Sequence, residues 1–182
     1  LMALLDAIDE GRLAAEVVLV ISDNPRAMAL GKAKERGVPS RVLPWQGNRE
    51  REAYFQEMIE VIDEAQPDLV ILAGFMRVLS ANIVEHFPHK IINIHPSLLP
   101  AFPGLNAQGQ ALKYGVKYTG CTVHFVDQGV DTGPILVQKV VPVHSHDTEE
   151  TLGERILVQE HIALPEAIDM VLAGEWQIQG RR

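Results

Sequence analysis

Asp68-Leu69-Val70-Ile71-Leu72-Ala73, a short apolar run just after Pro67, decides the fold. Such a run reads as a strand buried on both faces, and strands of that kind belong to parallel sheets covered by helices. Working outward toward the N-terminus, Val17-Val18-Leu19-Val20-Ile21 repeats the pattern and runs into Ser22-Asp23-Asn24-Pro25, a turn that opens a helix. That helix covers Ala27 to Arg36 and stops at Gly37 and Pro39, and a short strand follows from Arg41 to Leu43. A longer helix, from about Arg49 to Ala65, carries Tyr54, Phe55, Met58, Ile59 and Ile62 on one stripe. At the front, Leu1, Leu4, Leu5 and Ile8 keep helical spacing up to Gly11. Beyond the central run, the pattern gives a helix near Ala81 to Phe87 and a strand from Ile91 to Ile94. Strands alternating with helices require crossover connections, so this part is a doubly wound, mostly parallel α/β sheet with helices on both faces. After Gly115 the pattern changes to two β-rich runs, Thr119 to Val126 and Ile135 to Val143, expected to pair antiparallel. A long helix, about Glu149 to Ala173, closes the chain, and residues 1–182 read as a single domain.

Composition narrows the function. With 16 Lys and Arg against 24 Asp and Glu the formal charge is −8, so the overall field does not attract nucleic acid, and an anionic substrate needs a local site. No apolar run is long enough for a membrane span and no basic leader precedes one, so a protein without nucleic-acid or membrane partners is expected. The single Cys121 can form no internal disulfide and fits a reducing cytoplasm; its place in a strand suggests a small buried apolar residue. The chain opens at Leu1 with residues already at helical spacing, and a segment ahead of it is expected.

The chemistry-bearing segment is Asn93-Ile94-His95-Pro96-Ser97-Leu98-Leu99-Pro100, at the carboxyl end of a strand, where open α/β sheets place their ligands. Alternation directs Asn93 and His95 to the same side. An amide can donate to a carbonyl oxygen, and a protonated imidazole can stabilise the charge that develops on it. In isolation a single histidine at a strand end is more often structural. Asp131, in Asp131-Thr132-Gly133-Pro134, would hold and charge His95 if the two were neighbours, or would merely cap a turn if they were not. His124 could face the same site or be a satisfied core residue. His144-Ser145-His146-Asp147 could be taken for a metal cluster, but a solvated turn capped by Asp or Thr is favoured because a helix starts there.

Ala73-Gly74-Phe75-Met76-Arg77-Val78-Leu79, the segment Asn93 to Pro100, Phe102-Pro103-Gly104 and the segment Val123 to Pro134, in this order and spacing, closely resemble the phosphoribosylglycinamide formyltransferase family, and the resemblance covers essentially the whole chain. It implies a folate-dependent transferase of purine biosynthesis that moves a formyl group from 10-formyltetrahydrofolate to the amine of 5-phosphoribosylglycinamide (GAR), with no metal. Carried over by position, it implies a catalytic role for Asn93, His95 and Asp131. It implies folate contacts from Arg51, from Met76, Arg77, Val78 and Leu79, from Asn93, and from Val126, Asp127 and Asp131. GAR contacts are implied for Glu160, Met76, Ile94 and Pro96. Family members also begin with a strand and a glycine-rich phosphate loop ending in Ser-Asn, and Leu1 aligns just after that loop. The expected enzyme is cytoplasmic and either a monomer or a homodimer.

Other readings remain. A methionyl-tRNA formyltransferase would need a basic C-terminal domain, which is not expected in a chain ending at Arg182 with this charge. A formyltetrahydrofolate deformylase typically has a second histidine where Pro96 stands. A folate-binding module without activity is the non-enzymatic alternative.

Overall fold

The structure, a computed structural model, describes residues 1–45, 50–174 and 176–179. The chain forms two compact units, Leu1–Asp68 with Leu79–Pro88 and Leu69–Val78 with His89–Arg182.

The first unit holds α1 (Met2–Asp9), β1 (Val20–Ser22), α2 (Met28–Glu35), β2 (Ser40–Val42), α3 (Arg51–Ala65) and an α4 spanning Ala81–His86. Strands β1 and β2 pair in parallel around the crossover helix α2. Tyr54, Phe55, Met58, Ile59 and Ile62 are all buried, so the periodic stripe of α3 is the apolar face that anchors it. Tyr54 is fully buried because its hydroxyl has a partner, donating to the carbonyl of Leu43 at 3.2 Å. Arg36, just past α2, reaches Asp6 at 2.8 Å and also Asp9, tying α2 to α1. Arg49, the expected start of α3, lies outside the described residues.

The second unit holds β3 (Val70–Leu72), β4 (Ile91–His95), α5 (Ala107–Tyr114), β5 (Tyr118–Phe125), β6 (Ile135–Pro142) and α6 (Glu149–Leu172). The sheet order is β3-β4-β5-β6, with β3 parallel to β4 and the remaining pairs antiparallel. The β-rich C-terminal part and the long last helix are therefore as the sequence predicts. Helix α6 starts at a capping box in which Thr148 and Thr151 exchange side-chain-to-backbone hydrogen bonds. It presses Leu152 and Ile156, both buried, toward a sheet face that includes Cys121 and Val123, both fully buried.

Two expectations need correction. The runs at residues 17–21 and 68–73 were to be strands buried on both faces, yet only Val20–Ser22 and Val70–Leu72 pair, and all six of those residues are half-buried. Each strand is hydrogen-bonded on one side only among the described residues, β1 to β2 and β3 to β4, so burial from a second neighbour is not supplied there. Helix α5 was not anticipated. It buries only Ala107 and Ala111, too narrow an apolar stripe to show as a period, and is defined by its ends: Asn106 accepts from the Gly109 N–H, and Gly115 closes it at φ 82°.

Candidate active site

The register of β4 against β5 puts Asn93 opposite His124 and His95 opposite Thr122. Directly opposed residues in a sheet project from the same face, so these four polar side chains form a patch on one side. The other side, bearing Ile92, Val123 and Phe125, is apolar and buried. The alternation of Asn93 with His95 thus acquires its partners from an antiparallel strand more than twenty residues away in sequence.

Asp131 reaches this patch from the loop between β5 and β6. Its Oδ2 lies 3.3 Å from His95 Nδ1, its Oδ1 lies 3.7 Å from His124 Nε2, and the side chains of all three are at most 12% exposed. Oδ2 also accepts from the Gly104 N–H at 2.7 Å. The proximity on which the reading of Asp131 depended is therefore met. Burial pushes its carboxyl upward, but the His124 contact, the Gly104 N–H and the neighbouring His95 more than offset this, leaving it below the ordinary carboxylate range. It is an ionised acceptor at neutral pH.

His95 is held from two sides. Its Nε2 lies 2.8 Å from the carbonyl oxygen of Phe102, while Nδ1 faces Asp131. Both neighbours can only accept, so both are satisfied only when both ring nitrogens carry hydrogen, that is, by an imidazolium. The residues that present these acceptors sit in strained backbone: Phe102 has φ 55° and Asp131 φ 54°. For a bulky aromatic residue this left-handed conformation is an outlier, with a cost on the order of 1–3 kcal/mol that the surrounding structure must offset. Strain of this kind concentrates where a group must be aimed.

His124 completes the group. Its Nδ1 donates to the carbonyl of Phe125 at 2.8 Å, which leaves Nε2 facing the Asn93 amide nitrogen at 3.4 Å and Asp131. The sequence leaves His124 undecided and carries no sign of the Phe102 carbonyl or the Gly104 N–H. Strand alternation marked a possible face for His124, but the register that decides it is not written locally. Backbone groups carry no side-chain signature at all.

The remaining site residues fall in several places. Met76 and Val78 are exposed at 77% and 51%, and Arg77 between them is half-buried, in the segment that follows β3. Val126 and Asp127 are half-buried at the end of β5, where Asp127 Oδ1 accepts from Gly129 N–H and Thr132 Oγ and so shapes the loop that delivers Asp131. Ile94, opposite Val123, points to the face away from His95. Glu160 rides on α6, and its burial pushes its carboxyl above the usual range. Lys139, opposite Cys121 in the register, pairs with Glu166 of α6 at 2.6 Å, so α6, which carries Glu160, lies over the side of the sheet that bears Cys121, Val123 and Ile94. Pro96 follows His95 and is half-buried. Arg51 and Leu79 lie in the first unit, where the Arg51 guanidinium donates to the Leu79 carbonyl at 3.2 Å.

His144 and His146 stack at 5.8 Å in an exposed turn, with Asp147 accepting from the His144 N–H at 2.7 Å, which is the capped turn that was favoured. Cys121 is fully buried, and burial followed by the field of Glu160 pushes its thiol up to about 11.

Residues 1–168 match the family described as Formyl transferase. The chain is 40% identical over 174 residues to the phosphoribosylglycinamide formyltransferase of Escherichia coli strain K12, an alignment covering 96% of this chain and 82% of that protein. It is 48% identical over 176 residues to the trifunctional purine biosynthetic protein adenosine-3 of Drosophila melanogaster, covering 96% of this chain and 13% of that longer protein. The chain spans less than a fifth of the trifunctional proteins it matches. Among solved structures, glycinamide ribonucleotide transformylase 1 from Symbiobacterium toebii superposes with a TM-score of 0.96 at 48% identity, over 99% of this chain and 85% of that one. A formyltetrahydrofolate deformylase from Pseudomonas syringae pv. tomato reaches a TM-score of 0.91 at 28% identity, over 99% of this chain and 59% of that one. With matches of this extent, spanning the segments that carry Asn93, His95 and Asp131, the chain belongs to the formyl transferase family, among its phosphoribosylglycinamide formyltransferases.

Proposed function

We propose that the chain transfers the formyl group of 10-formyltetrahydrofolate to the amine of GAR, a step of purine biosynthesis and one-carbon metabolism. The observation that carries this reading is the convergence of an amide, an imidazole fixed between two acceptors and an ionised carboxylate on one polar patch of the sheet.

The chemistry follows from those groups. The neutral amine attacks the formyl carbon, and the carbonyl electron pair moves onto oxygen. The Asn93 amide N–H donates to that oxyanion, and the charge of the His95 imidazolium, held beside it by Phe102 and Asp131, stabilises it electrostatically; groups aimed at developing charge are worth roughly a hundredfold or more each in turnover. Asp131, kept ionised by its neighbours, holds His95 charged and accepts, through a water, the proton lost from the attacking nitrogen. The same proton passes back through that water to the folate nitrogen, which leaves protonated as the carbonyl reforms and Asp131 returns to its ionised state. His124 keeps the Asn93 amide and Asp131 in register.

In this reading the segment from Met76 to Leu79 and the loop through Val126 and Asp127 bind the folate with Arg51, while Glu160, Ile94, Met76 and Pro96 contact GAR. Residues 1–182 act as one formyltransferase domain, in the cytoplasm, as a monomer or homodimer, on small molecules without a metal, nucleic acid or membrane. The test is to incubate the purified chain with both substrates and measure formylated GAR and free formate. Formylated GAR supports the reading; formate alone would mean a hydrolase, and folate binding with neither product an inactive module.

A further inference from the structure

The row that contains His95 does not stop at β5. His95 opposes Thr122, and Thr122 opposes Gln138 on β6, so the three side chains stand abreast across three strands. Gln138 is on the edge strand, far from any role assigned so far. Its amide nitrogen donates to the Thr122 hydroxyl at 3.0 Å and to the carbonyl of Leu99 at 2.9 Å. Thr122 Oγ also accepts from the Leu99 N–H at 3.0 Å and donates to the carbonyl of Ser97 at 2.7 Å. A hydroxyl has one hydrogen and two lone pairs, so Thr122 is saturated and Gln138 supplies its second donor.

These bonds pin the loop that leaves β4. Ser97 in turn donates to the carbonyl of Ala101, and the next residue, Phe102, presents the carbonyl that fixes His95 Nε2. Two residues further on, the Gly104 N–H fixes Asp131. Gly120 leaves room for the loop to lie down: a Cβ there would collide with the Leu98 side chain and with the Lys139 carbonyl. A loop holding the strained Phe102 against the imidazole needs such an anchor, because that strain relaxes if the base of the loop can move.

We infer that Gln138 is a positioning residue for formyl transfer: by clamping Thr122 and Leu99 it sets the loop that aims His95 and Asp131. This rests on the proposed function for its kinetic readout but not for its structural one. Gln138 sits on an exposed strand edge, so its replacement leaves the fold standing. In Gln138→Leu, kcat falls about tenfold, as expected for sub-ångström misplacement of catalytic groups, while KM for both substrates stays within about twofold. The ¹⁵N resonances of the His95 ring, observed in protein labelled at histidine, shift in the same variant. Val140→Thr, on the same edge and face but without a bond to the loop, leaves kcat and the ring resonances unchanged.

A shift of the His95 resonances in a protein that transfers no formyl group would keep the clamp and refute the proposed function. Unchanged resonances and unchanged kcat in Gln138→Leu would overturn the clamp while leaving that function intact. Equal losses in Gln138→Leu and Val140→Thr would also overturn it, by showing a general edge effect.

Discussion

Two aspartates, Asp131 and Asp147, are both held below the ordinary carboxylate range, by opposite means. Asp147 is gripped bidentately by Arg155, with both nitrogen-to-oxygen distances 2.8 Å, and accepts further bonds from the His144 N–H and the Thr151 hydroxyl. The Arg155 contacts are the leading cause of its lowered pKa. Its side chain is 1% exposed, and its partners are a permanent cation, a backbone N–H of the preceding turn and a hydroxyl of the α6 cap. Asp131 has a single fixed donor, the Gly104 N–H, and is otherwise shared between two imidazoles at longer range. A guanidinium never gives up its proton under physiological conditions, whereas an imidazole changes charge near neutrality. The first arrangement therefore fastens a helix, and the second leaves charge free to move.

The largest effect separating the two regions is on turnover. Asp131→Asn lowers formyl transfer by about a hundredfold or more and shifts Tm little, because the neutral amide no longer balances an imidazolium. A variant that retained wild-type rates in a steady-state assay would erase the distinction. His124→Gln has an intermediate effect, a loss of about tenfold in kcat, since it touches both Asn93 and Asp131 without being aimed at the reacting carbon.

For Asp147→Asn the pattern reverses: kcat stays within about twofold, and the thermal midpoint falls by about 3 °C or more. The pH dependence follows from the lowered carboxyl. In the folded chain Asp147 binds its proton only well below pH 4, while the unfolded chain binds it near pH 4, so unfolding takes up protons in that range and stability rises with pH through it. The stabilisation is complete above the unfolded value and is lost as pH falls toward the folded one. Replacing Asp147 removes this part of the acid slope in urea titrations from about pH 5 down to about pH 2. The smallest effect concerns Cys121, whose thiol stays protonated at neutral pH, so maleimide labels it only in denatured protein.

The parts legible in the sequence are those encoded by local periodicity. The stripe of α3, the antiparallel β5 and β6 and the end of α6 lie close to where the pattern puts them. Asn93 and His95 were found because strand alternation is local, and Asp131 because its motif resembles one known family. His124 and Thr122 could not be assigned because their place depends on the β4–β5 register, a long-range property. Gln138 reads as an ordinary edge residue, and the Phe102 carbonyl has no residue code at all. The runs at 17–21 and 68–73 were overcalled because apolarity reports a demand for burial rather than its supply.

The most direct test of the central claim is a double-mutant cycle on formyl transfer with His95→Ala, Asp131→Asn and the two combined. If imidazole and carboxylate act as one unit, the double variant loses no more than the more damaged single variant, within about threefold. Losses that multiply, each change costing the same whether or not the other is present, would contradict the account.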